Sequence, residues 1–192
     1  MHSVKHDYLS ESDYLAQEQA SPVKHEYADG QVFAMAGASI RHNRIAGNLY
    51  LAWRRGSRCR VVIGDVKVKG RHVYYYPDVM LSCGPELDAY VETAPCLVAE
   101  VLSPTTEVID RGEKLHHYQQ IASLQAYLLV AQDERRVEVY RRAGELWTYQ
   151  SITDDRPIEL PCLDSTLNLP EIYAGLDFDV ASGRAAAPAA IE

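Results

Sequence analysis

Two apolar stretches, YYYPDVMLSC at residues 74–83 and APCLVAEVLSPTT at residues 94–106, decide the fold. Each is typical of a buried strand, because β-branched and aromatic residues dominate it and Gly, Pro or Ser bound it. Each nevertheless contains one acid, Asp78 in the first stretch and Glu100 in the second. A carboxylate inside a buried strand is costly unless it is compensated. Two of them on successive strands therefore predict a shared metal ion.

The segments around these stretches predict a mixed sheet. Two shorter runs of strand-like composition precede them, CRVVIG at 59–64 and VKVK at 66–69. After them, the helical pattern at 110–123 leads directly into the apolar strand AYLLVA at 126–131. A strand, helix, strand unit of this kind joins parallel strands. The segment 135–152 reads as an antiparallel hairpin that closes the sheet, and the fold class is α/β (α+β).

The first part of the chain predicts two helices and a hairpin. The run SESDYLAQEQA at 10–20 reads as a short capped helix, and 39–55 as an amphipathic helix that begins at a serine cap. Between them, Asp29 and Gly30 separate two extended runs. Asp-Gly in this position is a strong hairpin signal.

Length and composition indicate one globular domain. The chain has 192 residues, with 47% hydrophobic and 24% charged residues, which suits a single domain over 1–180. The tail at 181–192 has too little apolar bulk to be buried, and we expect it to be disordered. The start lacks the apolar stretch of a secretory signal, so we expect a cytoplasmic protein that does not associate with membranes.

The cysteines show no metal-binding or redox motif. Cys59, Cys83, Cys96 and Cys162 have no paired spacing, and the first three lie in apolar surroundings. There a cysteine acts as a small hydrophobic residue. We expect reduced core thiols, with metal ligation or a disulfide as the alternatives.

The charge is distributed unevenly. The formal net charge is −8, which disfavours nucleic-acid binding by the chain as a whole. Residues 41–72, however, contain one acid and nine basic residues, a local balance of +8 that leaves −16 for the rest. These basic residues are Arg41, Arg44, Arg54, Arg55, Arg58, Arg60, Lys67, Lys69 and Arg71. The segment is either a polyanion-binding surface or a solvated basic helix and loop.

The two strand acids suit a hard cation. Asp78 follows Pro77, which favours a strand bend or edge where a side chain can be directed. Glu100 alternates with apolar neighbours on its strand. Mg²⁺ is usually held by one or two carboxylates together with water and phosphate oxygens. Lys114, on the following helix, supplies a basic group that would orient an attacking water or offset phosphate charge.

Four ordered motifs carry a family resemblance. They are EYADGQVFAMAGAS at 26–39 followed by His42, YYPDV at 75–79, LVAEVLSPTT at 97–106, and DRGEKLHHYQQI at 110–121 followed by YLLV. In this order and spacing, from about Asp13 to Arg142, the chain resembles the Uma family of putative restriction endonucleases, within the PD-(D/E)XK nuclease superfamily. The resemblance implies a restriction-endonuclease-like, four-stranded mixed sheet flanked by helices. The predicted hairpin would be an addition to it.

The resemblance also implies a set of site residues. It makes Asp78 and Glu100 metal ligands, and we assign Val101 beside Glu100 to the same metal position. Glu26 matches an acidic position near that site. The alternatives are ordinary structural roles. Asp78 would then cap a Pro-Asp turn, Glu100 would pair with an arginine, and Glu26 would be an exposed hairpin acid.

The chain departs from the superfamily pattern at one position. The signature lysine two residues after Glu100 is replaced by Leu102. Relatives that resemble this chain carry a lysine on the following helix, so Lys114 is the expected substitute. The alternative is a surface lysine that pairs with Asp110 at i, i+4 spacing.

These observations predict an Mg²⁺- or Mn²⁺-dependent endonuclease that hydrolyses phosphodiester bonds, most plausibly in DNA. The alternative is a catalytically degenerate nuclease-like fold that binds nucleic acid or protein. A homodimer is expected, because cutting both strands requires two sites. The expected catalytic residues are Asp78, Glu100, Lys114 and Glu26, and the expected DNA contacts are Arg41, His42, Arg44, Arg54, Arg55 and Arg58.

Overall fold

The computed structural model describes residues 8–178, so the predicted tail at 181–192 lies outside the described residues. The helices are α1 (Glu11–Ala20), α2 (Ile40–Gly56), α3 (Glu107–Ile109), α4 (Leu115–Gln119) and α5 (Leu169–Ile172), with a π-helical turn at Asp110–Lys114 between α3 and α4. The strands are β1 (His25–Ala28), β2 (Gln31–Ala34), β3 (Arg60–Ile63), β4 (Lys67–Lys69), β5 (Val73–Tyr75), β6 (Val79–Ser82), β7 (Val91–Glu92), β8 (Pro95–Val101), β9 (Ala126–Val130), β10 (Val137–Ala143) and β11 (Leu146–Ile152).

The larger sheet is mixed and has six strands in the order β11-β10-β9-β8-β6-β3. The central strands β8 and β9 run parallel, and every other neighbouring pair in this sheet is antiparallel. All residues of β8 and β9 are buried, as expected for strands covered on both faces. The predicted fold class is confirmed: a four-stranded mixed core, β3-β6-β8-β9, is extended by the antiparallel hairpin β10-β11.

A second sheet of five strands, in the order β2-β1-β5-β4-β7, corrects the prediction of one central sheet. The stretch 74–83 is not a single strand, because β5 ends at Tyr75 and β6 begins at Val79. Between them, Pro77 offers no N–H to a sheet and fixes its own φ. The chain therefore leaves the smaller sheet and enters the larger one at this point. Asp78 lies where the two sheets meet.

The predicted caps and hairpin are present at the start of the chain. The hydroxyl of Ser10 accepts a hydrogen bond from the Asp13 N–H at the start of α1, and Ser39 does the same for His42 at the start of α2. The β1-β2 turn has positive φ at Asp29 (46°) and Gly30 (88°). Positive φ at both central residues is what a type I′ hairpin turn requires. The cap at Ser39 fixes where α2 begins.

Two helical segments cover the two faces of the larger sheet. Ile45, Leu49 and Trp53 of α2 have no exposed surface and pack into the core on one face. Tyr118 of α4 is buried in the core on the other face. Burying a side chain of this size stabilises the fold by about 1.5–3 kcal/mol. This packing fixes the start of α2 and the α3-α4 segment relative to the strands between them. No helix in the described part of the chain is long and apolar enough to cross a membrane.

The α3-α4 segment is helical as predicted, but it begins earlier and is not regular. It starts at Glu107 rather than Asp110, and its middle turn is π-helical. Isolated π turns within α-helices are rare and are frequent at functional sites. Here the turn contains both Asp110 and Lys114, and both side chains are buried.

The four cysteines are paired in this structure as Cys59–Cys83 and Cys96–Cys162, which corrects the prediction of reduced thiols. The antiparallel register of β3 and β6 pairs Arg60 with Ser82. The residues one step beyond that pair are Cys59 and Cys83. Sequence spacing does not show this proximity, because the two cysteines are 24 positions apart in the chain.

Candidate active site

Asp78 and Glu100 lie side by side on neighbouring strands. The register of β6 and β8 pairs Val79 with Ala99, so the residue before β6 lies against Glu100. The Asp78 N–H donates to Glu100 Oε2 at 3.3 Å, and the Val101 N–H donates to Asp78 Oδ2 at 2.7 Å. The backbone of each strand thus holds the carboxylate of the other.

Lys114 lies inside this acidic group. Its Nζ is 2.9 Å from Glu26 Oε1, 3.2 Å from Glu100 Oε1 and 3.5 Å from Asp110 Oδ1. The residue is only 6% exposed. The alternative of a surface lysine is therefore wrong, although the predicted pair with Asp110 is present. Glu100 pairs with this lysine rather than with an arginine.

Glu26 reaches the site from the smaller sheet. It lies on β1, and its Oε1 accepts a hydrogen bond from the Tyr76 N–H at 3.0 Å as well as the contact from Lys114. Its side chain is 15% exposed, so it is not an exposed hairpin acid. Residues from both sheets and from the α3-α4 segment therefore meet at one point.

His42 contacts the site from the start of α2. Its Nε2 lies 2.8 Å from Asp78 Oδ1, and its side chain is 14% exposed. The serine cap described above places this residue in the first turn of the helix. His42 is thus in position to orient the Asp78 carboxylate, a role that the sequence does not reveal.

Two further groups lie at the site and were not predicted from the sequence. Tyr118 donates its hydroxyl to Glu100 Oε1 at 2.8 Å. Asp110, considered only as a partner of a surface lysine, is 2% exposed and belongs to the buried cluster. Positions 110, 114 and 118 share the spacing of one helical face. That spacing indicates that the three share a face, but it does not show that the face is buried.

The cluster holds more acids than bases. Glu26, Glu100 and Asp110 contact the Lys114 ammonium, and Asp78 lies beside Glu100. Four acids and one ammonium give a formal charge of −3 if every carboxyl is ionised. Such an excess in a buried place is unfavourable unless protons or a cation compensate it.

Burial and neighbouring charges shift the pKa values of Glu100, Asp110 and Lys114. Burial, together with the neighbouring Asp110, Asp78 and Glu26, raises the pKa of Glu100 well above its ordinary value against the opposing effect of Lys114. Burial also raises the pKa of Asp110. For Lys114, burial lowers the pKa, but the surrounding carboxylates outweigh it and raise the pKa well above its ordinary value. The lysine therefore stays charged, while Glu100 and Asp110 hold protons more readily than ordinary carboxyls.

This donor set fits a hard divalent cation. Carboxylate oxygens are the ligands that Mg²⁺ prefers, and a divalent ion would offset most of the negative charge. Asp78 and Glu100 are the two acids held by strand backbone. Val101 approaches Asp78 through its N–H, and its carbonyl oxygen is the atom it would offer to a cation.

The predicted basic contacts separate into two groups. Arg41 Nη2 donates to the Asp177 carbonyl at 3.0 Å, and Arg44 Nη1 donates to the Gly175 carbonyl at 2.6 Å. Both residues thus hold the segment after α5, a role that the sequence analysis missed. Arg54, Arg55 and Arg58 are exposed near the other end of α2. With 1.5 Å of rise per residue, Arg54, the first of the three, lies about 18 Å along the helix axis from His42.

Comparisons with known proteins agree with this architecture. Residues 11–171 match the family model Uma2, described as "Putative restriction endonuclease". The uncharacterized protein slr1290 of Synechocystis sp. is 35% identical over 181 residues, covering 88% of this chain and 94% of that protein. The uncharacterized protein sll1609 of the same organism is 34% identical over 146 residues, covering 71% and 82%.

A solved structure shares the fold. The crystal structure of a putative nuclease belonging to DUF820 from Anabaena variabilis has a TM-score of 0.67 to this chain at 17% sequence identity. The likeness covers 80% of this chain and 92% of the other.

Proposed function

The chain belongs to the Uma2 family of putative restriction endonucleases, and we propose that it hydrolyses phosphodiester bonds with Mg²⁺ or Mn²⁺, DNA being the expected substrate. The observation that carries the proposal is the convergence of four residues from four segments. Glu26, Asp78, Glu100 and Lys114 come from β1, the residue before β6, β8 and the π-helical turn. Lys114 Nζ contacts the carboxylates of Glu26 and Glu100, and the Asp78 N–H donates to Glu100.

The strand acids are the groups that would hold the ion. Asp78 and Glu100 would bind it through carboxylate oxygens, with Val101 as a backbone donor. When bound, such an ion polarises the scissile phosphate and lowers the pKa of a water molecule. His42 keeps the Asp78 carboxylate in a fixed orientation through the contact at 2.8 Å.

Lys114 supplies a fixed positive charge beside the strand acids. Contacts with Glu26, Glu100 and Asp110 restrict its rotation, and these carboxylates keep it protonated against the opposing effect of burial on its pKa. A preorganised cation placed where negative charge develops on the phosphate stabilises the transition state. The lysine thus takes the role of the signature lysine that Leu102 replaces.

The basic residues along α2 support DNA as the substrate. Arg54, Arg55 and Arg58 form an exposed cationic group in a chain of net charge −8. Phosphate contacts by such residues supply most of the sequence-independent affinity for DNA. A duplex bound to both this group and the acidic site would lie along α2.

Single-turnover cleavage of plasmid and short duplex DNA with Mg²⁺ tests the proposal. We expect Asp78→Asn and Glu100→Gln to lower the rate by about 100-fold or more. Glu145→Gln, at an exposed position in the β10-β11 turn, removes one carboxylate of the same kind and is the matched control. Conversion of supercoiled plasmid to linear product without a nicked intermediate would support the expected homodimer, because a single site cuts one strand at a time.

One observation favours a second candidate, a nuclease-like module that binds DNA without cutting it. Leu102, at the signature position, is 5% exposed and belongs to the apolar core. No basic group can therefore act from that position. Salt-dependent binding of DNA, without cleavage under any divalent cation, would establish this alternative and refute the enzyme.

A further inference from the structure

The sulfur atoms of four distant segments meet at one end of the larger sheet. Cys59 precedes β3, Cys83 follows β6, Cys96 lies near the start of β8, and Cys162 lies between β11 and α5. The Sγ atoms of Cys83, Cys96 and Cys162 all lie within 4.8 Å of one another. Cys59 Sγ is bonded to Cys83 Sγ. These are all four cysteines of the chain.

Two disulfides do not by themselves require this arrangement. Each bridge needs only its own two cysteines to meet, and the two bridges could lie anywhere in the fold. Here the Cys83 sulfur lies within 4.8 Å of both sulfurs of the other pair. The four sulfur atoms therefore form one cluster rather than two independent cross-links.

The backbone is specially shaped at two of the four positions. The β6-β8 register pairs Leu81 with Leu97 and Ser82 with Pro95, so Cys96 is the extra residue of a β-bulge. Bulges redirect a side chain out of the regular alternation. Cys162 has φ of 68°, in the left-handed region that non-glycine residues rarely adopt. Both irregularities occur at residues that bring a sulfur to this cluster.

One hydroxyl orders the other side of the sulfur cluster. Ser57 Oγ accepts a hydrogen bond from the Cys59 N–H at 3.0 Å and donates to the Cys162 carbonyl at 3.2 Å. Ser57 therefore holds the backbone of two cysteines from different segments together. An outer shell of this kind, which positions ligand-bearing backbone, is common around metal centres.

We propose that the reduced chain binds one Zn²⁺ through the thiolates of Cys59, Cys83, Cys96 and Cys162. A tetrahedral ion with Zn–S bonds of about 2.3 Å places its sulfurs about 3.8 Å apart, within the 4.8 Å that already encloses three of them. Binding releases four thiol protons and needs no electron transfer once both disulfides are reduced. The disulfide form and the zinc form exclude each other.

The ion would act as a structural clamp away from the acidic site. Cys96 and Glu100 are four residues apart on β8, which corresponds to about 13 Å along the strand. The clamp would join β3, β6 and β8 to the segment that leads into α5. That segment is held to the end of α2, since the Asp164 N–H donates to the Gly56 carbonyl at 2.8 Å. Zinc binding should therefore stabilise the packing of α2 on the larger sheet.

The test uses the full chain, reduced without metal and then equilibrated with Zn²⁺ and desalted. We expect one Zn²⁺ per chain by elemental analysis, both in the wild type and in an Asp78→Asn/Glu100→Gln variant that lacks the carboxylate site. We expect none in Cys96→Ser/Cys162→Ser. Cobalt(II) in place of zinc should give the thiolate charge-transfer and ligand-field absorption of a tetrahedral sulfur site.

A second measurement covers the case in which the cysteine variant does not fold. Blocking the thiols of the zinc-loaded wild type with a mercurial reagent should release its zinc to a chromophoric chelator in step with thiol modification. A folded, reduced wild type that retains no zinc would overturn the proposal. So would zinc that persists in the cysteine double variant or disappears in the carboxylate variant.

Discussion

Replacing Lys114 with methionine should strongly destabilise the protein in the absence of divalent cations. The ammonium lies between Glu26, Glu100 and Asp110 at 2.9, 3.2 and 3.5 Å. Methionine keeps most of the side-chain volume but removes the charge. Three carboxyls that share this cation would then face one another without it.

The size of the effect follows from burial. The side chains of Lys114, Glu26, Glu100 and Asp110 are 7%, 15%, 5% and 3% exposed, so solvent screens them weakly. An exposed ion pair contributes about 0–1 kcal/mol. Removing one partner of a buried pair costs about 3–5 kcal/mol. We therefore expect Lys114→Met to lower the free energy of unfolding by about 3–5 kcal/mol at neutral pH. The loss should be smaller at acidic pH, because the carboxyls then take up protons.

Urea unfolding monitored by tryptophan fluorescence would measure this loss, since Trp53 is fully buried. Lys69→Met is the matched control. It removes the same charge from an ion pair with Glu11 at 3.2 Å, but Lys69 is 41% exposed. Adding Mg²⁺ should restore part of the stability of Lys114→Met, because a bound ion offsets the same carboxylates. A free-energy loss for Lys114→Met within about 1 kcal/mol of the control would refute the reasoning.

Three more outcomes are expected from the same structure. Mg²⁺ or Mn²⁺ should raise the thermal midpoint of the wild type by mass action; an equal rise in Asp78→Ala/Glu100→Ala by scanning calorimetry would contradict the assigned metal site. Reversing the charge of Arg54, Arg55 and Arg58 should weaken DNA binding and flatten its salt dependence, whereas an unchanged slope in a fluorescence titration would place DNA elsewhere. Burial opposes ionisation of Glu92, but the Ala94 N–H and Arg60 outweigh it and lower the pKa of this carboxyl. The ionised Glu92 carboxylate thus stabilises the folded state above the ordinary glutamate pKa. This stabilisation is lost as pH falls through the lowered pKa. Glu92→Gln should cost about 1–3 kcal/mol at neutral pH, and urea unfolding from pH 7 to 3 should show this gap closing below about pH 4.3; a gap independent of pH would contradict the assignment.

The strand acids could be predicted because their signal is local. Asp78 and Glu100 each stand out against an apolar run, and a buried carboxylate demands compensation whatever the tertiary structure. The parallel pair β8-β9 could also be predicted locally, because a fully apolar strand that directly follows a helix is typical of a buried parallel strand. These inferences needed no knowledge of distant contacts.

The remaining features depend on contacts between distant segments. The burial of Lys114 results from β1, β8 and the π-helical turn meeting, and helical spacing alone fits a surface lysine equally well. Pro77 marks a bend, but the sequence does not show that the chain changes sheets there. Arg41 and Arg44 look like free cations until the carbonyls after α5 are in place. In each case the deciding partner is far away in the chain.

The π-helical turn at Asp110–Lys114 determines how this segment would respond to a change in chain length. An i→i+5 turn contains one residue more than the α-helical turn it replaces, and each residue of an α-helix turns the chain by about 100°. Deleting Gly112, where an added Cβ would meet open space, would remove no packed side chain. Because the deletion removes the extra residue, the turn can close as a regular α-helical turn that keeps Lys114 and Tyr118 in phase with the residues before it. Deleting a residue of α4 instead would turn Tyr118 by about 100° relative to Lys114 and away from Glu100.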